Sequence, residues 1–205
     1  MQITPVTPAR LVDEVVELVD ARPGRVRLAL DGPPPTQPLT LAERVGAQLR
    51  TRGRAAVFVS AADYLRPASV RLELGREDPA EYLDGWLDTG GLRREVLDPA
   101  AAEGSGQVLP RLWDAAADRA HRDRYVQLPG DGVVVLAGAL LLGRGLPLDL
   151  AVHLRMSAPA LARTLPEDER WTLPAYARYA DERGPAEEAD LLVLSDHPDR
   201  PAVRR

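Results

Sequence analysis

Lysine, cysteine and asparagine do not occur in this 205-residue sequence, and all 26 of its basic side chains are arginines. Each absence excludes chemistry. Without cysteine there is no disulfide, no thiol nucleophile, no CxxC redox pair and no cysteine zinc site. Without asparagine there is no N-glycosylation acceptor. Without lysine there is no Schiff base and no ammonium group to cradle a nucleotide phosphate. Aromatic residues make up only 4% of the chain, so a core has to come from Leu, Val and Ala. The bias towards Ala, Leu, Arg, Pro and Gly matches a GC-rich coding sequence, which accounts for part of the lysine deficit.

Long apolar runs are missing too. The longest, residues 133–142, falls well short of the roughly 20 residues that span a bilayer. The first twenty residues have no basic n-region and carry acids among their apolar positions, so no signal peptide is expected and a cytoplasmic location is. The net charge of −5 supplies no general field for nucleic acid. Neither nucleic acid nor membrane is expected as a partner.

What is present suits one folded domain over residues 1–205, at 45% hydrophobic content. Thr7 before Pro8 reads as a helix start, with Leu11, Val15, Val16, Leu18 and Val19 on one face and Gly24 as the stop. Residues 25–31 read as a strand, and 32–39 (GPPPTQPL) as a rigid loop. Thr40 to Glu43 fits a capping box opening a helix to Arg52. Further strands are expected over 55–60, 133–137, 150–154 and 191–194. Short helices are expected over 79–86, over 91–97, after Ser157 and after Pro174. Apolar strands alternating with amphipathic helices predict an α/β fold with a parallel β-sheet covered by helices on both faces. The tail from Asp196 is expected to be loose.

A strand ending in Asp-Gly, then a loop, then a helix is the setting of a phosphate-binding loop. Five stretches in order carry a wider likeness: LALDGP ending at Pro33, VSAADYLRP (59–67), EDPAEYLDGWLDTGGLRREVLDP (77–99), VVVLAGALLLG (133–143) and ADLLVLSDHP (189–198). Together they resemble the uridine kinase-like family of P-loop kinases, in a short bacterial form. The resemblance implies a three-layer sandwich with an ATP site at the first strand–helix turn, a nucleoside acceptor pocket and an arginine-bearing lid at 158–178.

Against the pattern G-x-x-x-x-G-K-[ST], counted from Gly32, the second Gly falls on Gln37, the Lys on Pro38 and the hydroxyl on Leu39. Such a loop grips phosphate through successive backbone N–H groups, and proline has none. Pro33, Pro34, Pro35 and Pro38 therefore each remove a donor, leaving Thr36 and Thr40 as the only hydroxyls of a degenerate loop. The family's acid after the second strand falls on Ala62, beside Asp63, and its acid at the central strand falls on Ala137.

The resemblance places Asp63, Tyr64, Arg66, Trp113, Arg119, His121, Arg122 and Tyr125 about the acceptor pocket. The plainer reading makes Trp113 and Tyr125 packing residues and the arginines a solvated face. His121 has no second ligand at metal spacing, so no metal site is expected, and His153 reads as a satisfied core histidine. The main expectation is a non-catalytic protein that binds a nucleoside, nucleotide or partner and needs no cofactor. One alternative is a phosphotransferase using Mg-ATP or Mg-GTP, with Asp63 as base and Arg163 or Arg178 in place of lysine. Another is a regulatory or structural subunit of an oligomer, including a homo-oligomer.

Overall fold

The computed structural model describes residues 3–204. The strands are β1 (Ile3–Pro5), β2 (Val26–Asp31), β3 (Ala56–Ser60), β4 (Gln107–Val108), β5 (Trp113–Asp114), β6 (Arg119–Ala120), β7 (Val126–Gln127), β8 (Val133–Gly138), β9 (Leu150–Arg155), β10 (Leu191–Leu194) and β11 (Ala202–Arg204). The helices are α1 (Pro8–Asp20), α2 (Pro38–Thr51), α3 (Ala68–Arg71), α4 (Pro79–Asp84), α5 (Thr89–Leu92), α6 (Ala158–Thr164), α7 (Leu173–Glu182) and α8 (Pro185–Glu188). Among these residues no helix is long and apolar enough to cross a membrane.

The main sheet has the order β1-β11-β10-β9-β2-β8-β3. Its five strands from β10 to β3 run parallel, and β11 and β1 add antiparallel at one edge. The expected α/β architecture is therefore what forms. Val133–Ala137 is wholly buried, as befits a strand with helices over both faces. One apolar layer packs α1 and α2 against β2, β8 and β9 through Val15, Val16, Val45 and Leu49. Two further clusters cover the other face, one under α5 and the 93–97 turn and one under α6 and α7.

Local chemistry accounts for α1. The Thr7 side chain accepts from Arg10 N–H at 3.2 Å, Pro8 occupies the first turn, and Leu11, Val12, Val15, Val16 and Val19 face the core. Gly24 takes a φ of +72°, which turns the chain into β2.

Three expectations need correction. The capping box at Thr40 does not form, because α2 begins two residues earlier with Pro38 in its first turn and left-handed Gln37 (φ 59°) before it. Ser157 stands at the start of α6, but its hydroxyl donates to Asp196 Oδ2 at 2.7 Å instead of capping the helix. The tail is not loose throughout: Ala202–Arg204 pairs with β10 on one side and β1 on the other, with Val203 fully buried. A strand of three residues carries too little periodicity to be read beforehand.

Candidate functional site

Parallel sheets bind ligands beyond the carboxyl ends of their strands, at the point where strand order reverses. Here that point is the end of β2. Asp31 pairs across to Gly138 of β8 on one side and to His153 of β9 on the other, and residues 32–40 emerge between them.

The loop spends its own donors. Gly32 N–H goes to Gly138 O at 2.9 Å, Thr36 N–H to Pro33 O at 2.9 Å, and Gln37 N–H to Pro34 O at 2.9 Å. Residues Pro34–Thr36 wind into a 3₁₀ turn, and the Thr36 hydroxyl also donates to Pro33 O, at 2.8 Å. The four prolines have no N–H. Only Leu39 and Thr40, in the first turn of α2, keep backbone N–H groups outside these bonds. The turn is packed tightly from below. A Cβ on Gly32 would lie 2.5 Å from Thr36 Oγ1 and 2.8 Å from the Leu154 Cβ and carbonyl oxygen.

Beneath the loop lies a buried polar network. Asp31, with no solvent exposure, meets His153 Nδ1 at 2.7 Å and accepts from Tyr179 Oη–H at 2.9 Å and Leu141 N–H at 2.8 Å. The Tyr179 oxygen in turn accepts from Leu142 N–H at 2.8 Å. Burial, with the Asp31 carboxyl adding to it, pushes the Tyr179 hydroxyl well above its ordinary pKa and keeps it a proton donor. Two side chains thus hold the backbone of 141–142, next to Leu140 in the left-handed region at φ 62°. His153 is the satisfied core histidine that its strand suggested.

Two cavities flank the loop. One, of about 360 Å³, lies between residues 32–40 and α4, with Leu65, Leu87, Leu140, Tyr82, Trp86 and Arg144 among its walls. No wall side chain of this cavity is a carboxylate or an imidazole. The lid-like segment closes towards it through aromatic contacts: Trp171 stands 5.4 Å from Tyr82 and 5.7 Å from Trp86, and the Tyr82 and Tyr176 hydroxyls meet at 3.0 Å. The other cavity, of about 650 Å³, lies between Pro33, His153, Arg155, α6 and α7.

The residues nominated from sequence divide into separate places. Tyr64 is fully buried, its hydroxyl donating to Leu109 O at 2.5 Å, so it belongs to the core and not to a pocket. Its neighbour Asp63 points elsewhere and meets His121 Nε2 at 3.3 Å, with burial raising the carboxyl above its ordinary pKa. Arg119, His121 and Arg122 line a separate cleft with Asp114. The Trp113 indole donates to Asp118 Oδ1 at 3.2 Å, and Tyr125 is 56% exposed with its hydroxyl on Glu95 at 2.6 Å. Arg66 is half-buried, and its backbone N–H donates to Trp86 O at 2.8 Å. None of these side chains lines either cavity beside the loop.

The lid arginines do not converge on the loop either. Arg178 pairs with Glu182 at 2.9 Å and Asp84 at 3.7 Å, and Arg163 is exposed on α6. Ala62 lines the smaller cavity, whereas Ala137 is buried in the layer under α1 and α2. The cation that does reach the smaller cavity is Arg144, which sequence reasoning passed over along with Tyr82 and Trp86. A readable signal existed for the two aromatics, which sit four apart in EYLDGW, a spacing that the helix expected over 79–86 would put on one face, although α4 ends at Asp84.

Among known families and curated proteins no match is found. Solved structures do match over nearly the whole chain. A possible uridine kinase from Bacillus stearothermophilus superposes with a TM-score of 0.72 at 21% identity, covering 90% of this chain and 97% of that one. A candidate fructose transport system kinase from Silicibacter superposes with a TM-score of 0.61 at 24% identity, covering 88% and 91%. The chain therefore has the fold of the P-loop kinases, shared with uridine kinase-like proteins.

Proposed function

We propose that this protein is a small-molecule-binding protein on a P-loop kinase fold that does not transfer phosphoryl groups, with a nucleoside-sized ligand in the cavity beside α4. The observation that carries the reading is the state of residues 32–40. Four prolines lack the N–H, and the Gly32, Thr36 and Gln37 N–H groups are bonded to protein carbonyls. Phosphoryl transfer depends on donors and cations placed around the transferring group, together worth a factor of roughly 10³–10⁵ or more in rate. The absence of any carboxylate or imidazole from the cavity walls adds to this, because an attacking hydroxyl would find no base.

The rebuilt-site alternative draws support from Arg144, but Asp63, Arg163 and Arg178 stand apart from the cavity. The test is a transfer assay with labelled ATP and GTP against nucleosides and sugars at high protein concentration. No product above background is expected, and stoichiometric or catalytic transfer to any acceptor overturns the reading.

A further inference from the structure

We propose that the cavity between residues 32–40 and α4 is an anion site: it takes a small organic acid with a flat apolar body, whose carboxylate is held by Arg144. This rests on the reading of the cavity as a ligand site and adds the charge and shape of the ligand.

Arg144 is a half-buried cation that forms no ion pair among the described residues. Its Nε and one terminal nitrogen donate to the carbonyls of Leu140 and Leu83, and the other terminal nitrogen has no protein acceptor. The two acids whose charge reaches it are engaged elsewhere: Asp84 with Arg183 and Arg178, and Asp31 with His153 and Tyr179. Burial accordingly pushes the guanidinium below its ordinary pKa, the mark of a charge short of a counter-ion.

Leu39 and Thr40, whose backbone N–H groups have no protein acceptor, line the same cavity in the first turn of a helix of 14 residues. The one charged side chain in the walls, Arg144, thus favours an anion, and the uncharged Gln37, Ser60 and Thr40 side chains do not oppose it. With no acid in the walls, a cationic ligand has nothing to meet.

The rest of the site sets the body of the ligand. Pro38, Leu65, Leu87 and Leu140 give apolar walls, and the rings of Tyr82 and Trp86 offer faces or edges to a planar group. The free terminal nitrogen of one guanidinium suits the single charge of a carboxylate, and the loop has few donors left for a phosphate dianion.

Isothermal titration of the full chain with 2-naphthoate and with the uncharged 2-naphthamide tests the inference. The acid is expected to bind about tenfold tighter than the amide or better. Arg144→Met is expected to abolish that preference while leaving amide binding in place, and Arg144→Lys to retain part of it. Because Arg144 also ties Leu83 to Leu140, thermal unfolding of each variant shows whether the fold persists. Equal binding of acid and amide overturns the anion assignment and leaves the cavity a ligand site. An acid preference that survives in folded Arg144→Met overturns it too, as does binding of neither probe at millimolar concentration. Failure of the parent reading is seen separately, as phosphoryl transfer in the labelled-nucleotide assay.

Discussion

Gly32 is the one residue of the phosphate-loop pattern that remains in place, and packing alone explains it. Its missing side chain admits Thr36 Oγ1 and Leu154, so Gly32→Ala is expected to cost about 1–3 kcal/mol in urea unfolding without any nucleotide present. Asp31 next to it is a stronger dependency. Asp31→Ala would strand His153, the Tyr179 hydroxyl and Leu141 N–H in the interior, for a loss of about 3–5 kcal/mol. Asp31→Asn keeps an acceptor oxygen and is expected to lose less, which the same unfolding curves measure. Single residues were legible in sequence when their chemistry holds in any surroundings, as with a proline that cannot donate. Arg144 was not legible, being one of 26 arginines whose importance comes only from lacking a partner. Asp31 and His153 are far apart in sequence, and only the β2–β9 register joins them.

At the scale of elements, the 32–40 loop acts as one unit. Pro38→Lys with Leu39→Thr installs two residues of the phosphate-loop pattern but leaves the Thr36 and Gln37 N–H groups on Pro33 and Pro34. The double variant is therefore expected to remain without transfer in the labelled-nucleotide assay. The lid-like segment is anchored at its base by Asp196, which accepts from Ser157 N–H at 2.6 Å and from its hydroxyl at 2.7 Å. The Ser157 backbone bond, ahead of its side-chain bond, holds the Asp196 carboxyl below its ordinary value of 3.8. A depressed folded-state pKa stabilises the protein above the unfolded value and ceases to do so as pH falls through the folded one. Wild type is thus expected to melt higher than Asp196→Ala at pH 6, with the gap closing below about pH 4.

Elements were readable where an apolar run or a cap settles the local structure, as in β8 and α1. They were misread where tertiary contacts decide. Asp196 draws Ser157 away from capping, and the open edge of β10 turns Ala202–Arg204 into a strand. Tyr64 and Asp63 share a 3₁₀ turn whose successive side chains face the core and the β5–β6 side, so a pocket drawn from adjacent residues came apart.

For the whole molecule, the proposed function separates the P-loop kinase fold from the chemistry at its switch point. The parallel sheet carries a strand–loop–helix turn at the end of β2, and the loop there satisfies much of its own backbone. The order of several sequence segments carried the fold, because order over the whole chain follows topology. The cavity beside α4 did not show in the sequence, because its walls come from four separate stretches between Gly32 and Arg144.

The central claim is that residues 32–40 no longer cradle phosphate. Its most direct test is calorimetric titration of the full chain with Mg-ATP and, in parallel, with adenosine. If the loop gives nothing to the phosphates, Mg-ATP binds no tighter than adenosine. Mg-ATP affinity exceeding that of adenosine by tenfold or more, about 1.4 kcal/mol, would contradict the account.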